Sequence, residues 1–184
     1  PECEVVTISG STPKGAGSSL YRCMIRAARE AGKPVLLDTS GTLLEECISE
    51  APSLIKPNID EIRAITGRSM DTRESLIQAA RELHCDGIEN VVISLGGDGS
   101  LVIGKEGVFE VKVPRIDAVN TVGCGDSMIA GFAVGMARGL SLEDTVRLAS
   151  AVSAANAMRM ETRFFVKEDM EALLPQIQIK KFQN

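Results

Sequence analysis

Apolar positions along this chain follow two rhythms: short unbroken runs of strand length, and longer stretches in which they return every three or four residues. Val5-Val6-Thr7-Ile8 predicts a buried strand, broken by the turn Ser9-Gly10-Ser11-Thr12-Pro13. The spacing of Leu20, Met24, Ile25 and Ala28 predicts a helix over residues 18–31, ended by Gly32. Further strands are expected at 34–38, 53–56 and 91–94, and helices at 42–49, 58–66 and 72–83. Residues 100–103 and 108–113 predict a hairpin, its second arm alternating Val and Glu. Two long apolar helices, at about 125–138 and 142–160, a short one at 167–174 and a polar tail complete the pattern. Strand–helix alternation predicts an α/β fold, a parallel sheet with helices on both faces. Such sheets bind ligands beyond the carboxyl ends of their strands.

The stretch Asn120-Thr121-Val122-Gly123-Cys124-Gly125-Asp126-Ser127 opens the first long helix. Two glycines two apart allow a sharp turn and leave consecutive N–H groups unshielded at a helix N-terminus, where negative charge is favoured. Asp126 falls in the first turn beside that anion cradle. A cradle with a base at its edge suits phosphoryl transfer, which depends on positioning and charge stabilisation. Taken alone, the eight residues also describe a helix start with an acidic residue on the dipole.

Composition narrows the partners. Aromatics are 3% with no Trp, which leaves little to stack on single-stranded nucleic acid. The net charge of −5 disfavours nucleic acid and anionic membranes, so a bound phosphate must be met by local dipoles and a few cations. Cysteines stand at 3, 23, 47, 85 and 124 without a CxxC pair, and His84 is the single histidine, so no zinc site of usual spacing can form. Reduced thiols in a cytoplasmic protein are expected. No signal peptide opens the chain, and no apolar run approaches membrane-span length. A strand beginning almost at Pro1 gives the expectation of a fragment.

The motif Asn-Thr-Val-Gly-Cys-Gly-Asp-Ser-Met-Ile-Ala-Gly (120–131) closely resembles the signature of the ribokinase-like (PfkB) sugar kinases, nearest the phosphofructokinase and tagatose-6-phosphate kinase branch. Three other stretches match in the family's order: Ser9-Gly10-Ser11-Thr12-Pro13, Lys56-Pro57-Asn58-Ile59-Asp60-Glu61 and Ser94-Leu95-Gly96-Gly97-Asp98-Gly99. The resemblance implies an αβα sandwich in which residues 1–184 are the C-terminal portion of one kinase domain, the N-terminal part and β lid being absent. It implies Asp126 as catalytic base with the N–H groups of Gly123, Cys124 and Gly125 as anion hole. Ser9, Gly10 and Ser11, with Asp126, would hold the sugar phosphate. Lys56, Asn58, Ser94, Gly96, Gly99 and Thr121 would line the ATP site.

Glu61 would reach Mg²⁺ through water, although Asn58 with Glu61 three residues on is also a capping-box pattern. The region of Arg159 and Arg163 closes over adenine in the family and can carry K⁺; both residues otherwise read as surface charges. Cys124 sits where a thiol can be activated, but the family commonly has an unreactive residue there. Asp98 reads as a solvated turn residue, and His84 as a partner of helix-end carbonyls.

The implied reaction is ATP-dependent phosphorylation of a sugar phosphate, fructose 1-phosphate first, tagatose 6-phosphate or fructose 6-phosphate next. A homodimer is allowed for the full-length protein, and the 184 residues alone are expected to be inactive. A nucleotide-binding regulator without turnover is the alternative of another class. A Gly-rich NAD kinase is a weaker one, and no P-loop motif occurs.

Overall fold

The computed structural model describes residues 3–182. The chain divides into two compact units, Pro1–Ser94 with Ile103–Glu106, and Leu95–Val102 with Gly107–Asn184.

The first unit alternates strand and helix as the periodicity predicts. Its strands are β1 (Val6–Ser9), β2 (Val35–Asp38), β3 (Leu54–Ile55) and β4 (Asn90–Ser94). All three pairings are parallel: Val6 lies opposite Val35, Leu36 opposite Leu54 and Ile55 opposite Val91. Leu36, Leu37, Leu54, Ile55 and Val91 to Ile93 are fully buried, as a sheet covered by helices demands. Between the strands run α1 (Ser19–Glu30), α2 (Gly41–Ile48), α3 (Ile59–Thr66) and α4 (Arg73–Cys85). α3 ends on Gly67 in the left-handed conformation, the usual glycine stop. His84, in the last turn of α4, donates from Nδ1 to the Ile88 carbonyl.

Just beyond α2, Glu50 accepts from Arg22 Nε and from Arg26 Nε and Nη2 at 2.6 to 2.8 Å, and its carbonyl takes Arg29 Nη1. Arg26 and then Arg22 hold its carboxyl down to about 2. This ties α1 to the segment after α2.

β5 (Ser100–Gly104) and β6 (Gly107–Lys112) follow, then α5 (Cys124–Ala137), α6 (Leu142–Ala157), α7 (Lys167–Leu173) and β7 (Gln178–Phe182). In sheet order the strands run β1 to β7. The expected polar tail is thus a strand, antiparallel to β6, with Ile179 opposite Val111 and Phe182 opposite Val108. Its polar surface follows from its place at an edge, where lysines are well tolerated. Lys180 faces Glu110 across the ladder, an attractive pair. The sheet is therefore mixed, not purely parallel.

α5 and α6 pack unusually closely. A Cβ at Gly131 would lie 2.5 Å from Ala149 Cα, and one at Gly135 would lie 2.6 Å from Thr145 Cγ2.

Candidate active site

In the first unit, the expected residues gather at the carboxyl ends of the parallel strands. Ser9 ends β1, and Gly10 turns the chain with φ +88°, a conformation that favours glycine. The turn is fixed from β2: Gly10 N–H donates to the Asp38 carbonyl at 2.9 Å, and Thr39 Oγ1 donates to the Gly10 carbonyl at 2.6 Å. Ser9 and Ser11 stay exposed. The Lys56 ammonium, directly after β3, lies 3.2 Å from Asp38 Oδ1. Its charge is already paired, with a side chain only 10% exposed, so a phosphate would meet a lysine held in place rather than a free arm.

Asn58 and Glu61 form the complete capping box. Asn58 Oδ1 accepts from Glu61 N–H at 2.9 Å, and Glu61 Oε2 accepts from Asn58 N–H at 2.8 Å. Glu61 therefore folds back on the helix start with one oxygen, and Oε1 has no protein partner among the described residues. Ser94 closes this group. Its N–H and hydroxyl both donate to the Pro57 carbonyl, at 2.9 and 3.4 Å.

In the second unit, residues 96–98 make a 3₁₀ turn whose Asp98 is exposed, as expected. Gly96 has φ +61°, and Gly99 N–H donates to its carbonyl at 3.1 Å. At Gly99 a Cβ would fall 1.9 Å from the Val111 carbonyl oxygen. Packing alone therefore requires that glycine.

The loop from β6 to α5 brings the most together. Asn120 Oδ1 accepts from Val122 N–H at 3.0 Å, while its Nδ2 donates to the Met160 carbonyl at 2.9 Å. A carboxylate at this position could not make the second bond. Gly123 turns the chain with φ +85°, and Cys124 N–H donates to the Thr121 carbonyl at 3.2 Å. Of the three N–H groups expected in the anion hole, that of Cys124 is thus engaged within this turn. Among the described residues, the N–H groups of Gly123, Gly125 and Asp126 at the start of α5 have no protein partner. Asp126 lies in the first helical turn with its side chain 37% exposed, and its Oδ2 takes Arg163 Nε at 2.5 Å.

Sequence reasoning missed what holds this loop. Asn156 of α6 is fully buried. Its Nδ2 donates to the Val122 carbonyl at 3.2 Å and toward Cys124 Sγ at 3.3 Å, and its Oδ1 accepts from Ser127 Oγ at 3.2 Å. Ser153 Oγ donates to the Cys124 carbonyl at 3.0 Å. One amide isolated in the run Ala154-Ala155-Asn156-Ala157 was the available signal, since a buried amide must find partners. Arg163 carried no such signal.

A family model described as pfkB family carbohydrate kinase matches residues 2–169. The chain is 40% identical over 152 residues to a 1-phosphofructokinase of Haemophilus influenzae, covering 82% of this chain and 49% of that protein. It is 34% identical over 182 residues to a tagatose-6-phosphate kinase of Staphylococcus epidermidis, covering 97% and 58%. Among solved structures, phosphofructokinase-2 of Escherichia coli in complex with substrates and products superposes with a TM-score of 0.88 at 30% identity, covering 94% of this chain and 56% of that one. The chain spans about half the length of the curated relatives it matches.

Proposed function

The chain belongs to the pfkB family of carbohydrate kinases, and we propose that it carries the phosphoryl-transfer machinery of an ATP-dependent phosphosugar kinase. Its fold is the α/β ribokinase-like arrangement of that family. The observation that carries the reading is Asp126 in the first turn of α5, next to two unpartnered helix-opening N–H groups. A carboxylate there can take the proton of a sugar hydroxyl as its oxygen attacks the γ-phosphorus. The bond from that phosphorus to the β,γ-bridging oxygen breaks, and ADP leaves with the electron pair. The N–H groups of Gly123 and Gly125, with that of Asp126 beside them, stabilise the charge on the transferring group.

Among the described residues no three His, Cys, Asp or Glu side chains are grouped to hold a metal. Mg²⁺ is the metal proposed for the reaction, bound mainly through substrate phosphates and water and neutralising their charge. Glu61, whose Oε1 is outside the capping box, is assigned to accept from one of those waters. Ser94, Gly96 and Gly99 with Lys56, Asn58 and Thr121 are assigned to ATP, and Ser9 to Ser11 to the sugar phosphate. Fructose 1-phosphate is the favoured acceptor, giving fructose 1,6-bisphosphate, on the strength of the Haemophilus relative. Tagatose 6-phosphate follows on that of the Staphylococcus one. Five free thiols suit a reducing, cytoplasmic setting.

Asp126→Asn in the complete kinase should lower kcat by roughly 10²- to 10⁴-fold, the span of a general base. ATP affinity should change little, because the carboxylate does not hold the nucleotide. Near-normal turnover would remove the base from Asp126. Absence of turnover in the parent enzyme with every sugar phosphate tried, alongside firm ATP binding, would favour a nucleotide-binding regulator.

A further inference from the structure

We propose that Arg163 is a positioning residue for phosphoryl transfer, holding Oδ2 of Asp126 so that Oδ1 faces the acceptor hydroxyl; this rests on the reading of Asp126 as the base. Three independent observations meet at Arg163. Its Nε lies 2.5 Å from Asp126 Oδ2, thirty-seven residues away in sequence. Its backbone is left-handed, with φ +60°, in a residue that is neither glycine nor asparagine. Finally, a Cβ placed on Gly123 would lie 2.8 Å from both the Arg163 backbone nitrogen and its Cγ.

A strained backbone persists only where its surroundings fix it, and such residues gather at functional sites. Stability does not explain this one. The Arg163 side chain is 69% exposed, and an ion pair that open to water contributes little to folding. What the conformation does accomplish is local. It lays the stem of Arg163 across Gly123, at the glycine turn leading into the anion hole, and brings the guanidinium onto Asp126. A freely rotating aspartate offers either oxygen in many directions. With Oδ2 engaged, the remaining oxygen has one orientation, and orientation is much of what a base contributes. The motif glycine at 123 is then explained twice, by its own φ and by the arginine that must pass over it.

Arg163→Gly tests this in the complete kinase, because glycine accepts the left-handed backbone while the guanidinium is lost together with its stem. The expected result is a fall in kcat of roughly 10- to 100-fold, the usual cost of a misplaced catalytic group, with KM for ATP changed by less than about threefold. Guanidinium chloride at tens of millimolar should restore part of the rate, which a purely structural defect would not allow. In the Asp126→Asn background the same substitution should cost nothing more. Should the glycine variant fail to fold, Arg163→Gln gives the same readouts.

An unchanged kcat overturns the proposal, as does a loss that guanidinium does not rescue. A loss that multiplies with that of Asp126→Asn overturns it too. If Asp126→Asn itself turns over normally, the base reading falls and this inference falls with it. If that variant is dead while Arg163→Gly is normal, only Arg163 loses its role.

Discussion

In the proposed reading, one carboxylate at Glu61 serves a helix with one oxygen and a metal-bound water with the other. Its Oε2 completes the capping box with Asn58, and its Oε1 is left over. Glu61→Gln keeps an oxygen able to cap but loses the charge proposed to order metal-bound water. The magnesium concentration for half-maximal rate should rise about tenfold, the lower end for groups that act on a metal through another ligand. Thermal stability should stay near that of the parent. A magnesium titration that superposes on the parent's would leave Glu61 a capping residue only. The cap was legible in the sequence because it depends on a fixed three-residue spacing. Asn156 and Arg163 were not, since their partners lie about thirty to forty residues away and no local rule connects them. The turn that diverts the Cys124 N–H to Thr121 was hidden for a different reason. Glycine spacing announces a turn but does not say which amide it consumes.

At the scale of elements, the helix pair α5 and α6 presents opposing terms of known size. Replacing Gly131 by Ala should favour the helix by about 1 kcal/mol on intrinsic propensity. The new Cβ would meet Ala149 Cα at 2.5 Å, however, and overpacking of this kind costs about 1–3 kcal/mol. The contact is with backbone, which cannot rotate aside, so packing should win. Gly131→Ala is expected to lower the unfolding midpoint measured by circular dichroism. A stabilised variant would mean that α5 and α6 can move apart freely. Most elements were legible because their periods of two and 3.6 are written in the apolar positions. β7 was missed because an edge strand needs few apolar residues: in Gln178–Phe182 only Ile179 and Phe182 are even half-buried. Its identity comes from β6, far back in the chain.

For the molecule as a whole, pH acts through carboxylates whose partners differ between folded and unfolded chain. Glu50 is held down to about 2 by Arg26 and Arg22, against 4.5 ordinarily. The unfolded chain therefore binds this proton more readily, and the contribution of Glu50 is complete above about pH 5. It drains away as pH falls from there toward 2. In Glu50→Gln the acid limb of the stability curve, followed by urea unfolding between pH 3 and 6, should be flatter than in the parent. Identical limbs would show that the two arginines find other partners as readily.

The sheet order also carries a consequence for how the protein is made. A ribosome releases β6 well before β7, with the whole of α5, α6 and α7 still to be synthesised between them. During that interval the outer hydrogen-bonding edge of β6 has no strand to meet. Its buried Val108, Phe109 and Val111 make the nascent chain adhesive. Chaperone dependence during translation should therefore be concentrated in this interval and end when the lysine-bearing strand arrives.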